Sequence, residues 1–487
     1  TLWHTLSLHD ALPISRITKP MQKVNGRFEE ISWKKAFDLI TEKIKDSNPD
    51  DNVFFAGARL TNEELYLIQK LARGVAKTNN ITSFHYLNRG DGYINDSYAA
   101  VPFEQLSGAS KIYLVGSEIN QDNAVAGFMV NNAMNKNSIP VELVTVHKDS
   151  KMAHKVSSVM QIKSYYHFIK AVNYYLVSNG FQNGLFIKDR CEGYEEYKEE
   201  LMKENFMDLV KTSGVEFMDQ IIEFAKEFNN QMNAIIIFSE KEICADAAYE
   251  LKNLAMITGK LGKTSMGLMP LKEKNNSQGL FDMGICPKLG VGSQDINDKE
   301  LQKKLKKAWK LKELPETLNE CQYDSLEKGM LKNMFIFGED PLGCAENKVK
   351  VSGWLSVAEF VMVQDYFMTE TAKHADLILP ASMPFEMGGS FTNTQKVIQE
   401  FEPVLPSKVE MTSLKQLSTL LGKFKLNGYE SAKDAMMEAI KLLPEEQKEE
   451  KLQFHYTADH NCNRMFNYGC DVVVKQFEEQ FERSLKE

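Results

Sequence analysis

Ten consecutive residues, Asn275-Asn276-Ser277-Gln278-Gly279-Leu280-Phe281-Asp282-Met283-Gly284, bring three side-chain amides, two glycines and a carboxylate into one short stretch. This is too polar for a core and too structured for a linker. A second stretch, Thr369-Glu370-Thr371-Ala372-Lys373-His374-Ala375-Asp376-Leu377-Ile378-Leu379-Pro380, is followed closely by Glu386-Met387-Gly388-Gly389-Ser390-Phe391-Thr392-Asn393-Thr394. Amide side chains read the edge of a heterocycle through a paired donor and acceptor, and hydroxyls with backbone N–H groups hold phosphate. The ligand that suits these residue types is large, heterocyclic and phosphorylated. Three shorter signals, Gly116-Ser117-Glu118, Gly338-Glu339-Asp340-Pro341 and Gln364-Asp365, each follow an apolar run directly. Glycine permits close backbone approach, and free N–H groups at a following helix start suit phosphate. Each is a common turn sequence by itself, and the three together do not name the ligand.

The elements that must position these residues are those of an α/β protein. Apolar runs at Val53–Gly57, Ile112–Gly116, Val141–Val146, Ala234–Phe238, Met334–Gly338, Phe360–Val363 and Leu377–Pro380 are short enough for parallel strands covered on both faces. Helical spacing lies between them. Ser32 precedes the stripe Trp33, Ala36, Phe37, Ile40, Ile44, and Thr61 with Glu64 forms a capping box ahead of Leu65, Ile68, Leu71, Ala72 and Val75. Such alternation gives right-handed βαβ units, and ligands then sit beyond the carboxyl ends of the strands where strand order reverses. The polar strand ends are therefore expected to converge on one cleft between two α/β domains.

The chain has 487 residues, which suggests two or three domains. The formal charge of -9 argues against general nucleic-acid binding. No stretch reaches the roughly 18 uninterrupted apolar residues needed to cross a bilayer, so no direct membrane insertion is expected. The seven cysteines (191, 244, 286, 321, 344, 462, 470) form no CxxC pair, which fits a reducing cytoplasm and no compactly spaced iron–sulfur site within the chain. Residues 1–15 differ sharply in composition from the rest of the chain and are read as an artefact or a disordered arm. The basic run Lys303, Lys304, Lys306, Lys307, Lys310 is read as a solvated helix face. His455, His460, Cys462 and Cys470 match no strong metal-site spacing and are read as surface residues.

On these residues the chain resembles the molybdopterin oxidoreductase family, which includes formate dehydrogenase α subunits and the large iron–sulfur subunit of bacterial NADH:quinone oxidoreductase. The resemblance runs from Arg16 to Pro406. It is carried by Arg16–Met21, Ile31–Ala36, Asn62-Glu63-Glu64, Asn79-Asn80-Ile81, Asn275–Gly284, Gly338–Pro341 and, most specifically, Gln364–Asn393. It implies two doubly wound parallel-sheet domains, the second inserted in the first. The first is placed at 16–105 with 330–410 and the inserted one at 106–329, leaving 411–487 as a helical tail without a closing β-barrel. It also implies a molybdopterin guanine dinucleotide, with iron–sulfur clusters confined to a part of the protein upstream of this sequence. The cofactor-binding candidates are then Gly116, Ser117, Glu118, Asn275, Asn276, Gln278, Gly279, Asp282, Gly338, Glu339, Pro341, Gln364, Asp365, Thr369, Thr371, His374, Asp376, Thr392 and Asn393. No metal ligand is assigned.

The departures from the family matter more. Its active formate dehydrogenases carry a metal-binding Cys or selenocysteine, then His, shortly after the Asn-Asn segment. Here that window, Thr82–Asp91, holds no cysteine, and His85 and Arg89 are its catalytic candidates. A guanine-pairing aspartate of the family is replaced by His147. The resemblance therefore implies a subunit working with the other subunits of an NADH- or formate-linked electron-transfer complex, cytoplasmic or held at the inner membrane face by those partners. Its pterin domain would be largely a scaffold. The alternatives are a catalytic formate dehydrogenase-type molybdenum or tungsten oxidoreductase and a pterin-binding assembly protein.

Overall fold

All seven apolar runs read as strands form strands, because each alternates its side chains between two helix-covered faces. The structure, a computed structural model, describes residues 16–90, 92–93, 101–316, 322–443 and 451–458. Residues 1–15 and Asp91, with His460, Cys321, Cys462 and Cys470, lie outside the described residues. In chain order the strands are β1 (Met21–Val24), β2 (Arg27–Glu30), β3 (Asn52–Ala56), β4 (Ile81–Thr82), β5 (Lys111–Val115), β6 (Val141–Thr145), β7 (Ser158–Gln161) and β8 (Cys191–Glu192). They continue with β9 (Ala234–Ser239), β10 (Gly267–Leu271), β11 (Asn333–Phe337), β12 (Phe360–Asp365), β13 (Leu377–Pro380), β14 (Gly389–Thr392), β15 (Ile398–Phe401) and β16 (Leu452–Gln453).

Two sheets form. The first has seven strands in the order β2-β1-β13-β12-β11-β3-β4, and the second has five in the order β10-β9-β5-β6-β7. Both are parallel apart from the β1–β2 hairpin and its antiparallel pairing with β13. In β3 the alternation is explicit: Phe54 and Ala56 join one apolar cluster while Val53 and Phe55 join the cluster on the opposite face. Strand order reverses between β3 and β11 in the first sheet and between β5 and β9 in the second. All five strands of the second sheet fall between residues 106 and 329, the limits expected for the inserted domain, but Leu280, Leu305 and Trp309 inside those limits pack in the core of the first sheet. Among the described residues no sheet closes into a barrel, and no helix is long and apolar enough to cross a membrane.

The helices carry the expected caps. Ser32 Oγ accepts the Lys35 N–H at 3.3 Å at the start of helix Trp33–Asp46, which buries Ala36, Phe37, Ile40 and Ile44 and leaves Trp33 half-buried. Thr61 and Glu64 cap helix Asn62–Lys70 reciprocally, Glu64 Oε2 accepting the Thr61 N–H at 2.9 Å. The lysine-rich helix Lys299–Trp309 buries Leu301, Leu305 and Trp309 and turns Lys303 and Lys307 outward.

The segment read as a helical tail is not peripheral. Helices Ser413–Lys423 and Ala432–Ile440 bury Leu414, Leu417, Leu421 and Met436 in the core of the first sheet, because their apolar residues recur at helical spacing. Residues 451–458 then reach the body of the second sheet, where β16 pairs in parallel with β8 and Leu452 and Phe454 are buried.

Candidate functional site

At the reversal point of the first sheet, Gly57 and Gly338 let two loops touch: a Cβ on Gly57 would lie 2.2 Å from the Gly338 carbonyl oxygen. Arg59, just beyond β3, donates from Nε to that carbonyl at 2.9 Å and from Nη2 to Asp365 Oδ2 at 3.0 Å. Glu339 accepts the Ser83 hydroxyl at 2.6 Å and the Phe84 N–H at 3.1 Å. Burial pushes its carboxyl up to about 7. Asp340 accepts the Thr371 N–H at 2.9 Å and hydroxyl at 2.6 Å, Pro341 opens the short helix Pro341–Cys344, and Thr369 caps helix Glu370–His374. Gln364 donates to Gln416 Oε1 at 2.7 Å, and its own buried Oε1 has no hydrogen-bond partner.

The raised Glu339 carboxyl gives a testable sign. A folded-state value above the unfolded one contributes stability at low pH that is lost as pH rises through about 7. Glu339→Gln keeps an acceptor for Phe84 and a donor for Ser83 without the ionisation. Thermal melts should show the variant more stable than the wild type at pH 8, by on the order of 2 kcal/mol, with little difference at pH 5. An unchanged gap between the two pH values would show that Glu339 ionises freely.

A second grouping is built on amides. Asn62 donates to Ser390 Oγ at 3.1 Å and Thr392 Oγ1 at 3.0 Å, and Glu63 accepts the Ser390 N–H at 2.9 Å. Asn276 donates to the Leu60 carbonyl at 2.8 Å and accepts the Thr392 N–H at 2.8 Å. Gly279 is required here, since a Cβ would lie 2.1 Å from Asn276 Oδ1. Gln278 donates to Asp282 Oδ1 at 3.1 Å, and Asp282 also accepts the Ser293 hydroxyl at 2.7 Å. Asn62 Oδ1 and Gln278 Oε1 are buried acceptors without partners. Asn275 is exposed, and Asn393 turns the β14–β15 hairpin by accepting the Gln395 and Val397 N–H groups at 2.9 and 3.1 Å.

In the second sheet Gly116 takes a φ of +59° at the end of β5, beside a buried Ser117 whose Oγ has no partner. The Glu118 N–H donates to Glu242 Oε1 at 3.3 Å, and His147 Nε2 lies 3.0 Å from Glu242 Oε2. His374 and Asp376 stand apart from all these groups. Asp376 Oδ2 accepts the Val361 N–H at 2.8 Å at the opposite end of β12, and His374 is exposed at the end of its helix.

Four residues not picked out from the sequence, Tyr86, Glu240, Lys272 and Glu273, join His85 and Arg89 where the carboxyl ends of the two sheets meet. Tyr86 donates to Glu240 at 2.9 Å, and Glu273 N–H donates to Glu240 Oε1 at 2.7 Å. Lys272 Nζ lies 3.5 Å from Glu240 Oε2, and Glu273 Oε2 is 3.5 Å from both His85 Nε2 and Arg89 Nη1. Arg89 Nη1 donates to His85 Nε2 at 2.9 Å. Burial, with Arg89 alongside, holds the His85 imidazole below its ordinary value, while burial's opposite pull on Glu240 is overcome by Lys272, His85 and Arg89. Glu240 and Lys272-Glu273 directly follow β9 and β10, so the strand-end rule applied to those two strands would have found them.

Residues 16–414 match the family model described as molybdopterin oxidoreductase. This chain belongs to the molybdopterin oxidoreductase family. Among its relatives are the F420-dependent formate dehydrogenase 2 subunit alpha of Methanococcus maripaludis, 30% identical over 453 residues, and the F420-dependent formate dehydrogenase subunit alpha of Methanocaldococcus jannaschii, 31% identical over 459 residues. Each alignment covers 88% of this chain and 66% of the relative, so the chain spans just under two thirds of those subunits. The fold is also that of the acetylene hydratase of Pelobacter acetylenicus, with a TM-score of 0.63 at 15% identity, covering 87% of this chain and 62% of that one.

The molybdopterin oxidoreductase family implies a molybdenum or tungsten pterin cofactor, and the two ends of the candidate site suit it differently. Asn62 Oδ1, Gln278 Oε1, Gln364 Oε1 and Ser117 Oγ are buried acceptors without partners. Such oxygens suit the N–H groups of a heterocycle. The window after Asn79-Asn80 does not suit a metal. Its described part, Thr82 to Gly90, has no thiolate, and its imidazole and guanidinium are engaged with each other and with Glu240 and Glu273.

Proposed function

We propose that this chain is a subunit of an NADH- or formate-linked electron-transfer complex whose pterin-type domain is non-catalytic. In this it is most like the large iron–sulfur subunit of NADH:quinone oxidoreductase. The observation that carries the reading is the His85–Arg89 window, where Arg89 Nη1 donates to His85 Nε2 and the Glu240 and Glu273 carboxylates lie within 4 Å of that pair. A bound molybdenum or tungsten pterin supplies two-electron redox chemistry, and that chemistry depends on protein ligands and their supporting shell to set the potential. Asn62, Asn276, Gln278, Gln364 and Ser117 would hold the heterocycles of a guanine dinucleotide form. His85, kept neutral and tied to Arg89, neither ligates nor relays a proton in its present setting. Partner subunits would then carry the electrons.

A second reading, a catalytic formate dehydrogenase-type oxidoreductase, is favoured by relatives named as formate dehydrogenase α subunits along 88% of the chain. Metal analysis separates the two. The chain purified with its partners is expected to contain no stoichiometric molybdenum or tungsten and, after reconstitution with molybdopterin, to reduce a viologen dye with formate no faster than a cofactor-free control. Stoichiometric metal with clear turnover would establish the catalytic reading instead.

A further inference from the structure

The groups at the meeting of the two sheets divide cleanly by origin. The first sheet and its following loop supply His85, Tyr86, Arg89 and Tyr93, and the second supplies Glu240, Lys272 and Glu273. Apart from the Arg89–His85 contact and the Glu240 bonds within the second sheet's loops, the contacts cross the seam. Tyr86 Oη donates to Glu240, Arg89 Nη2 donates to the Glu240 carbonyl, Lys272 Nζ donates to the Tyr93 carbonyl, and Glu273 Oε2 faces both His85 and Arg89. Glu240 is 0% exposed, His85 2%, and Arg89 and Lys272 7%. An arginine can only donate, so the 2.9 Å contact requires His85 Nε2 to accept, and its lone pair is spent on the guanidinium. With His85 neutral the cluster sets two cations, Arg89 and Lys272, against two carboxylates, Glu240 and Glu273, and Lys274 Nζ adds a third cation 3.5 Å from Glu273 Oε1 at the rim.

We propose that the window in which active members of the family carry their metal ligand is closed in this chain by the protein's own charges, so that the two sheets lock together without a cofactor. The set works only when complete, because removing one partner of a buried ion pair strands the other in a low-dielectric interior. A metal seeking His85 Nε2 would first have to break the Arg89 bond and separate Arg89 from Glu273. This rests on the scaffold reading proposed above, but it fails on stability, whereas that reading fails on metal content and turnover.

The test uses the full 487-residue chain, produced in a host unable to make molybdopterin and in one able to make it. The two preparations are expected to melt at the same temperature and to give the same tryptic pattern. A lower midpoint or faster digestion for the cofactor-free preparation overturns the proposal. In the cofactor-free host, Glu240→Gln is expected to lower the melting midpoint, and the double variant Glu240→Gln with Lys272→Met to recover part of the loss by removing the stranded cation. A single variant that melts like the wild type shows that these charges do not hold the seam. Should the single variant not fold, the double variant decides: recovery supports the lock, and a double variant no better than the single one overturns it.

Discussion

Replacing Trp309 by alanine is expected to destabilise the core of the first sheet by about 3–5 kcal/mol, the cost of emptying a well-packed indole site. Trp309 is 1% exposed at the end of helix Lys299–Trp309, and its Nε1–H donates to Tyr66 Oη at 2.8 Å. Tyr66 in turn donates to Glu438 Oε1 at 2.6 Å, and Lys70 Nζ lies 2.8 Å from the same oxygen. One side chain therefore joins three segments distant in sequence, 299–309, 62–70 and 432–440. Its loss leaves both a cavity and a buried Tyr66 hydroxyl short of a donor. Trp309→Phe, which keeps most of the volume but not the N–H, should lose roughly 1 kcal/mol for the bond and a further part for the smaller ring. Urea unfolding of the two variants measures the split, and equal losses would mean that the indole volume contributes nothing beyond its hydrogen bond.

Arg73→Ala is expected to cost about 4 kcal/mol, because four acceptors lose their donor in a buried site at roughly 1 kcal/mol or more each. Arg73 is 0% exposed and donates to Asn79 Oδ1 at 2.8 Å, Gln69 Oε1 at 2.6 Å, the Gly284 carbonyl at 3.1 Å and the Cys286 carbonyl at 2.8 Å. It thereby ties the Asn79-Asn80 segment to the end of the Asn275–Gly284 segment. Burial lowers its value to about 10, so the guanidinium stays charged at neutral pH. Arg73→Lys keeps the charge but cannot fork across four acceptors, and should recover less than half of the loss. A lysine variant as stable as the wild type would show that charge alone matters there.

The strands were legible because a strand covered on both faces must be apolar throughout, and Phe54, Ile236 and Val363 sit where such runs demand. The capping box at Thr61 was legible because both of its bonds are local. What could not be read is which polar residues the fold brings together. Glu240 and Lys272 follow the neighbouring strands β9 and β10, which places them beside each other, but only the approach of the second sheet to the loop after β4 gives Glu240 its Tyr86 partner and Lys272 the Tyr93 carbonyl. The misplaced pair has a simpler cause. Asp376 and Pro380 are near in sequence, but β13 runs between them at about 3.3 Å per residue, so one motif straddles both ends of a sheet. Asn393 looked like a ligand contact for a similar reason, since an amide that turns a hairpin has the same one-letter signature as an amide that meets a base.

The docking of residues 451–458 bears on the order in which the protein can be completed during synthesis. The last strand of the second sheet, β10, leaves the ribosome at Leu271, yet Leu452 and Phe454, which finish that body's apolar core, emerge roughly 180 residues later, a delay of about 10–40 s at ordinary translation rates. Until then Lys170 lacks the Thr457 carbonyl that it bonds at 3.0 Å, and Asn253 lacks the His455 carbonyl at 2.8 Å. The body of the second sheet, begun before strands β11 to β13 of the first, is thus sealed after them. A nascent chain stalled anywhere between β10 and β16 presents an open groove to the cell, and chaperones that bind exposed apolar surface would engage it there.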